Sequence, residues 1–122
     1  MGFRIIGKPA KPYDARIVDA VMRALQSVDG IAEAHMPQWC EDGLTNGAEQ
    51  VVVIVLAKGR SEEEIAPILI GELGKQLPNG PLLLVIPIRG SSSDLTTVRG
   101  TQMLVFRRPG VEMDAKPWWR FW

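Results

Sequence analysis

Cysteine, histidine and net charge are all scarce in this chain, and each scarcity excludes a class of function. A single cysteine, Cys40, cannot close an internal disulfide, so the chain fits a reducing compartment. With His35 the only imidazole, one His and one Cys are too few for a zinc site, and Glu41 and Asp42 nearby do not rescue it. Fourteen basic and fourteen acidic residues cancel, which leaves no electrostatic footprint for nucleic acid or for an anionic membrane. No apolar run approaches the ~20 residues that span a bilayer. The opening Met1-Gly2-Phe3-Arg4-Ile5-Ile6-Gly7 has neither the apolar core of a secretory signal nor the serine or threonine of a myristoylation signal. The expected location is the cytoplasm, with no integral membrane segment. No internal repeat, Walker pattern or Gly-x-Gly-x-x-Gly is present, and no metal or cofactor is expected.

Hydrophobic residues, at 46 % against 23 % charged, are plentiful enough for a core that needs no disulfide or metal. A single α+β domain over residues 1–110 is expected, followed by a Trp-rich tail over 111–122. The chain is organised around Val51-Val52-Val53-Ile54-Val55-Leu56-Ala57. This run is short, mostly β-branched and apolar at every position, the pattern of a strand buried on both faces.

Around it the elements follow in order. Phe3-Arg4-Ile5-Ile6 is a first strand, broken by Gly7, Pro9 and Pro12. Asp14 is placed to cap a helix whose inner face is Ile17, Val21, Ala24, Leu25 and Val28, ended at Asp29-Gly30. Ile31 to Met36 alternates, with Glu33 and His35 on a polar side, and Pro37 either puts this second strand at a sheet edge or ends it there. Asn46-Gly47 marks a turn in the loop that leads into the central run. Ser61 with Glu64 forms a capping box for a second helix along Ile65, Leu69, Leu73 and Leu77, with Pro67 awkwardly inside it. Leu82 to Ile88 is a further strand, again with an edge-type Pro87. Leu95 to Gly100 is ambiguous, and Gln102 to Arg107 is a last strand.

The order β-α-β-β-α-β plus one strand predicts a ferredoxin-like sandwich, an antiparallel sheet with both helices on one face. The first and third strands would then be central, and both strand prolines would fall on edges. The other face would be open. Leaving the outward side chains of the central strand wet costs roughly 1.5–3 kcal/mol each, so something must cover them: the last strand with the aromatic tail, a second copy, or a partner.

These features resemble the C-terminal domain of the enhanced-serine-sensitivity (SseB) proteins of bacteria, here as a stand-alone domain. The resemblance runs from Phe3 to Arg108. It is carried by Val28-Asp29-Gly30-Ile31-Ala32-Glu33-Ala34, the apolar third strand, Leu77-Pro78-Asn79-Gly80 and the late strand ending at Phe106-Arg107-Arg108. It implies a non-enzymatic domain touching serine metabolism, and it carries no catalytic motif.

Candidate sites are few. His35 and Cys40 could act as base and nucleophile only within hydrogen-bond reach, and five residues apart on an extended strand they point to opposite faces. Glu62-Glu63-Glu64 fits a solvated first helical turn better than a binding patch. The loop Gly90-Ser91-Ser92-Ser93, with Arg89, Arg99 and Arg107, has the donors to hold an anion such as phosphate or carboxylate. RNA recognition would need aromatics on the sheet, and the central strand is aliphatic. Trp118, Trp119, Phe121 and Trp122, with Trp39, are candidate partner contacts, since Trp is typical of interface hot spots; the tail either docks on another chain or folds back on its own sheet. The expectation is a non-catalytic interaction or regulatory domain, acting as a homodimer or on another protein through its open sheet face and tail. The alternative is an amino-acid-sensing domain resembling ACT-type regulatory domains.

Overall fold

The computed structural model describes residues 4–41 and 49–114; the Asn46-Gly47 turn and Trp118, Trp119, Phe121 and Trp122 lie outside the described residues. In chain order the elements are β1 (Arg4–Gly7), α1 (Ala15–Gln26), β2 (Ile31–His35), β3 (Gln38–Glu41), β4 (Glu49–Gln50), β5 (Val52–Leu56), α2 (Glu62–Gln76), β6 (Val85–Ile88), α3 (Asp94–Gly100) and β7 (Leu104–Arg107). Four strands form an open mixed sheet in the order β6-β5-β2-β7, and a smaller sheet has the order β1-β3-β4. Among the described residues no helix is long and apolar enough to cross a membrane.

The α+β class is as expected, and the ferredoxin-like order is not. β1 belongs to the smaller sheet, where it pairs antiparallel with β3. Its expected place beside β5 is taken by β6, while β2 keeps the other side, and β5 and β6 run parallel through the α2 crossover. β2 is therefore central, between β5 and β7. Pro37 does not mark a sheet edge. It marks where the chain leaves one sheet for the other: β2 and β3 are two arms of one strand bent at Met36-Pro37, paired with β5 and β4 respectively. Gln50 bridges this bend, its amide donating to the Met36 carbonyl (2.9 Å) and its side-chain oxygen accepting from Tyr13 N–H (2.7 Å). Pro87 does sit on an edge strand, β6.

Every residue from Val51 to Ala57 is buried, as its composition requires. Val52, Ile54 and Leu56 face α1 and α2 in one cluster, whereas Val51, Val53 and Val55 face a second cluster built from Trp39, Leu95, Val98 and Ile88. The far face of the sheet is thus not open. The chain covers it with α3, whose residues carry no clear period in the sequence, and with the small sheet, to which Ile6 also contributes.

Local chemistry sets the helices in place. Asp14 Oδ1 accepts from Ile17 N–H (3.1 Å) and Ser61 Oγ from Glu64 N–H (3.3 Å), the two expected caps. Gly30 follows α1 at φ +96°, where a Cβ would lie 2.5 Å from Ile65 Cδ1. Only glycine permits both the left-handed turn and this approach to α2. Arg108, just past β7, donates to the carbonyls of Leu25, Gln26 and Val28, closing the C-terminal end of α1, where a cation also suits the helix dipole.

Candidate functional site

Helix α2 is the element whose sequence its own environment does not explain. From Ile65 to Gly74 only Glu72 is charged. A helix apolar all round is expected to be covered all round, yet only the stripe Ile65, Leu69, Leu73 is buried. Ile68 is 51 % and Ile70 53 % exposed, on the two flanks of an outer face made by Pro67, Gly71 and Gly74. A Cβ at Gly71 or Gly74 would meet nothing within 4 Å. Each glycine weakens a helix by roughly 1 kcal/mol relative to alanine, and nothing among the described residues packs closely enough to need it. Beside this face runs Pro81-Leu82-Leu83-Leu84, which enters β6; Leu82 is 94 % and Leu84 54 % exposed. A groove of about 330 Å³ lies between the two, lined by Ile70, Gly74, Leu77, Pro81 and Leu82 among others. The outer side of α2 and Leu82 form one apolar surface; Leu84 continues the β5–β6 register opposite Val51 and points to the other face of the sheet. The sequence carries its signal in the missing charges of residues 65–74; following only the four-residue repeat of Ile65, Leu69 and Leu73 passes over it.

The anion-binding set divides between two places. Arg89, Ser91 and Ser92 do come together, with Trp39 and Asp94, around a pocket of about 400 Å³ at the end of β6. Arg89 is held from behind: its Nε donates to Asp114 Oδ2 and its Nη1 to the Arg60 carbonyl (2.8 Å). Trp39 is only 5 % exposed, so it serves as a wall of the core and of this pocket.

Arg99 and Arg107 are elsewhere, converging on Glu33. The polar side of β2 is the surprise of the far face, because Glu33 and His35 are buried there at 1 % and 2 % exposure. Arg99 reaches down from α3 and grips the carboxylate with both arms of its guanidinium, Nε to Oε2 (3.0 Å) and Nη2 to Oε1 (2.8 Å). Arg107 Nη2 stands 3.8 Å from Oε1, and His35 Nε2 is 2.6 Å from Oε2. Burial pushes the Glu33 carboxyl upward, but the hydrogen bonds from Arg99 and His35 and their nearby charge outweigh it and hold the group down at about 2. The same contact raises Arg99. A carboxylate accepts only, so His35 Nε2 carries the proton in this bond, and Nδ1 is buried with no partner among the described residues. Geometrically this is a clamp: a bidentate ion pair between residues 66 apart in sequence pins α3 to the central strand.

His35 and Cys40 do not form a dyad, since His35 is engaged by Glu33 on the main sheet and Cys40 pairs with Ile5 in the small one. Among the described residues no group of three or more His, Cys, Asp or Glu could hold a metal ion. Compared with known proteins, the chain matches no family model, no curated protein and no solved structure.

Proposed function

We propose that this chain is a non-catalytic protein-association domain and that its docking face is the outer side of α2 with Leu82. The observation that carries this reading is the exposure of Ile68 and Ile70 on α2 and of Leu82 beside it. A full aliphatic side chain left in water forgoes roughly 1.5–3 kcal/mol, and the largest apolar patch on a monomer, at a few hundred Å², is often functional. The far face of the sheet, with its own cover, does not compete for this role. The resemblance to SseB domains enters only as a non-catalytic, cytoplasmic expectation compatible with the proposal.

The test is photo-crosslinking in living cells, with a photoreactive amino acid in place of Lys75 at the rim of the face and, as control, in place of exposed Asp19 on α1. A discrete protein adduct from position 75 that disappears with Leu82→Glu, and no such adduct from position 19, is the expected result. Equal labelling from both positions would remove the reading.

A second reading is favoured by the pocket beside Trp39, where Arg89, Ser91 and Ser92 meet an apolar wall. Its size is at the lower end of small-molecule sites, and its chemistry suits a carboxylate-bearing compound such as an amino acid. Thermal denaturation with millimolar amino acids checks it: a rise in Tm that Ser92→Leu abolishes supports the pocket, and an unchanged Tm across the series counts against it.

A further inference from the structure

We infer that the occupant of the α2 face is a second copy of this chain, joined through an antiparallel α2–α2 crossing about a two-fold axis. The inference rests on the association reading above and adds the partner to it.

Three observations single out the second copy. The first is shape. One face carries both the protrusions, Ile68 and Ile70, and the hollow over Gly71 and Gly74, where a Cβ would meet nothing. A two-fold axis brings a patch onto itself, so a surface that holds both knobs and a hollow suits it, and helices lacking side chains at the crossing approach closely.

The second is charge. Glu72, the only charged residue between Ile65 and Gly74, lies on the α1 side of the helix, with Ser27 Oγ 3.4 Å from its carboxylate. The face that meets its copy is therefore uncharged. The ends of the helix are not: Glu62, Glu63 and Glu64 occupy the first turn, Glu64 paired with Arg60, and Lys75 in the last turn is paired with Glu72 (3.3 Å). An antiparallel crossing keeps the two acidic first turns apart and sets each beside the charge-balanced end of the other helix. A parallel one would set Glu62 and Glu63 of both copies together, which is repulsive.

The third is area. The exposed fractions of Ile68, Ile70 and Leu82 equal about two fully exposed aliphatic side chains. That is roughly 300 Å² of apolar surface, close to the apolar part of one partner's share in an interface at the small end of the stable range.

Sedimentation velocity of the purified full chain over a concentration series tests this, with circular dichroism confirming that each variant is folded. The wild type is expected to shift from monomer to dimer as concentration rises. Ile70→Lys with Leu82→Glu should raise the dimer dissociation constant by at least about a hundredfold. Gly74→Leu is the sharper variant, because it improves helix propensity and keeps the face apolar while filling the hollow; it should also abolish the dimer. A wild type that stays monomeric at high micromolar concentration overturns the inference, while a position-75 adduct to a different protein would leave the association reading standing. A dimer that survives Gly74→Leu overturns the helix crossing.

Discussion

Arg99→Met is expected to destabilise the protein by about 3 kcal/mol at neutral pH and by about half that near pH 3. Methionine keeps most of the aliphatic stem, so the packing of α3 is largely retained and the change removes the charge and the fork. What remains beneath is Glu33, 1 % exposed and left with His35 and the more distant Arg107. Breaking a buried pair from one side leaves an uncompensated charge, and that residue of the pair dominates the loss.

The pH dependence gives the prediction its sign. Glu33 has its folded pKa held at about 2, below the ordinary carboxyl value of 4.5. Its stabilising contribution is therefore complete above the unfolded value and lost as pH falls from about 4.5 toward 2. A displacement of that size corresponds to about 3 kcal/mol. In Arg99→Met the principal force holding the carboxyl down is gone, so the variant has little of this contribution to lose on acidification. Urea denaturation of wild type and variant at pH 7 and at about pH 3 should show two curves that converge. An equal loss at both pH values would mean that Arg99 acts by packing alone. Arg99→Lys should restore only part of the stability, because an ammonium cannot grip both carboxylate oxygens in a plane.

Why this clamp was illegible in the sequence is instructive. Glu33 and His35 alternate with Ala32, Ala34 and Met36, the usual pattern of a strand with one wet side. The alternation defines two faces, but it cannot say whether the polar face meets water or a buried partner. That partner, Arg99, stands 66 residues away on a helix of only seven residues, too short for a hydrophobic period to emerge. The same short helix hid the cover of the far face, so an open sheet was expected where a second layer exists. By contrast, Val51–Ala57, the Asp14 and Ser61 caps and the Gly30 turn are decided by residues within a few positions of one another, and all are found as read. Pro37 falls between these cases. Its missing N–H was recognised as a break in pairing, but a break is compatible with an edge or with a strand that changes sheets, and only the pairing of Trp39 with Glu49 and of Ile54 with Ala34 distinguishes them. The α2 face was legible in composition, through the absence of charge between Ile65 and Gly74 apart from Glu72, and what the sequence withheld was which of those apolar residues the rest of the chain would leave bare.

Trp39→Ala is expected to cost about 3–5 kcal/mol, the range for removing a buried aromatic from a core. Trp39 is 5 % exposed and packs with Val51, Val53, Val55, Leu95 and Val98 on the side of the sheet away from α1 and α2. If the chain supplies its own cover there, deleting its largest side chain opens a cavity that β3 and α3 cannot both close, because each is tied elsewhere, β3 to β1 and β4, and α3 to Glu33. Native-state hydrogen exchange should then show β3 and α3 losing protection before α1 and α2, whose cluster Val52, Ile54 and Leu56 support from the opposite side of the same strand. A loss below about 1 kcal/mol would mean that Trp39 contributes little to that layer, and the far face would again need a cover from outside the described residues. Trp39→Phe separates stability from association. It should lower stability by less than Trp39→Ala does and leave the dimer dissociation constant unchanged, because Ile70 and Leu82 border the first cluster, through Leu73, Leu77 and Leu83, on the other side of the sheet from Trp39. A dimer weakened by Trp39→Phe while Gly74→Leu leaves it intact would move the docking surface from α2 to the layer around Trp39.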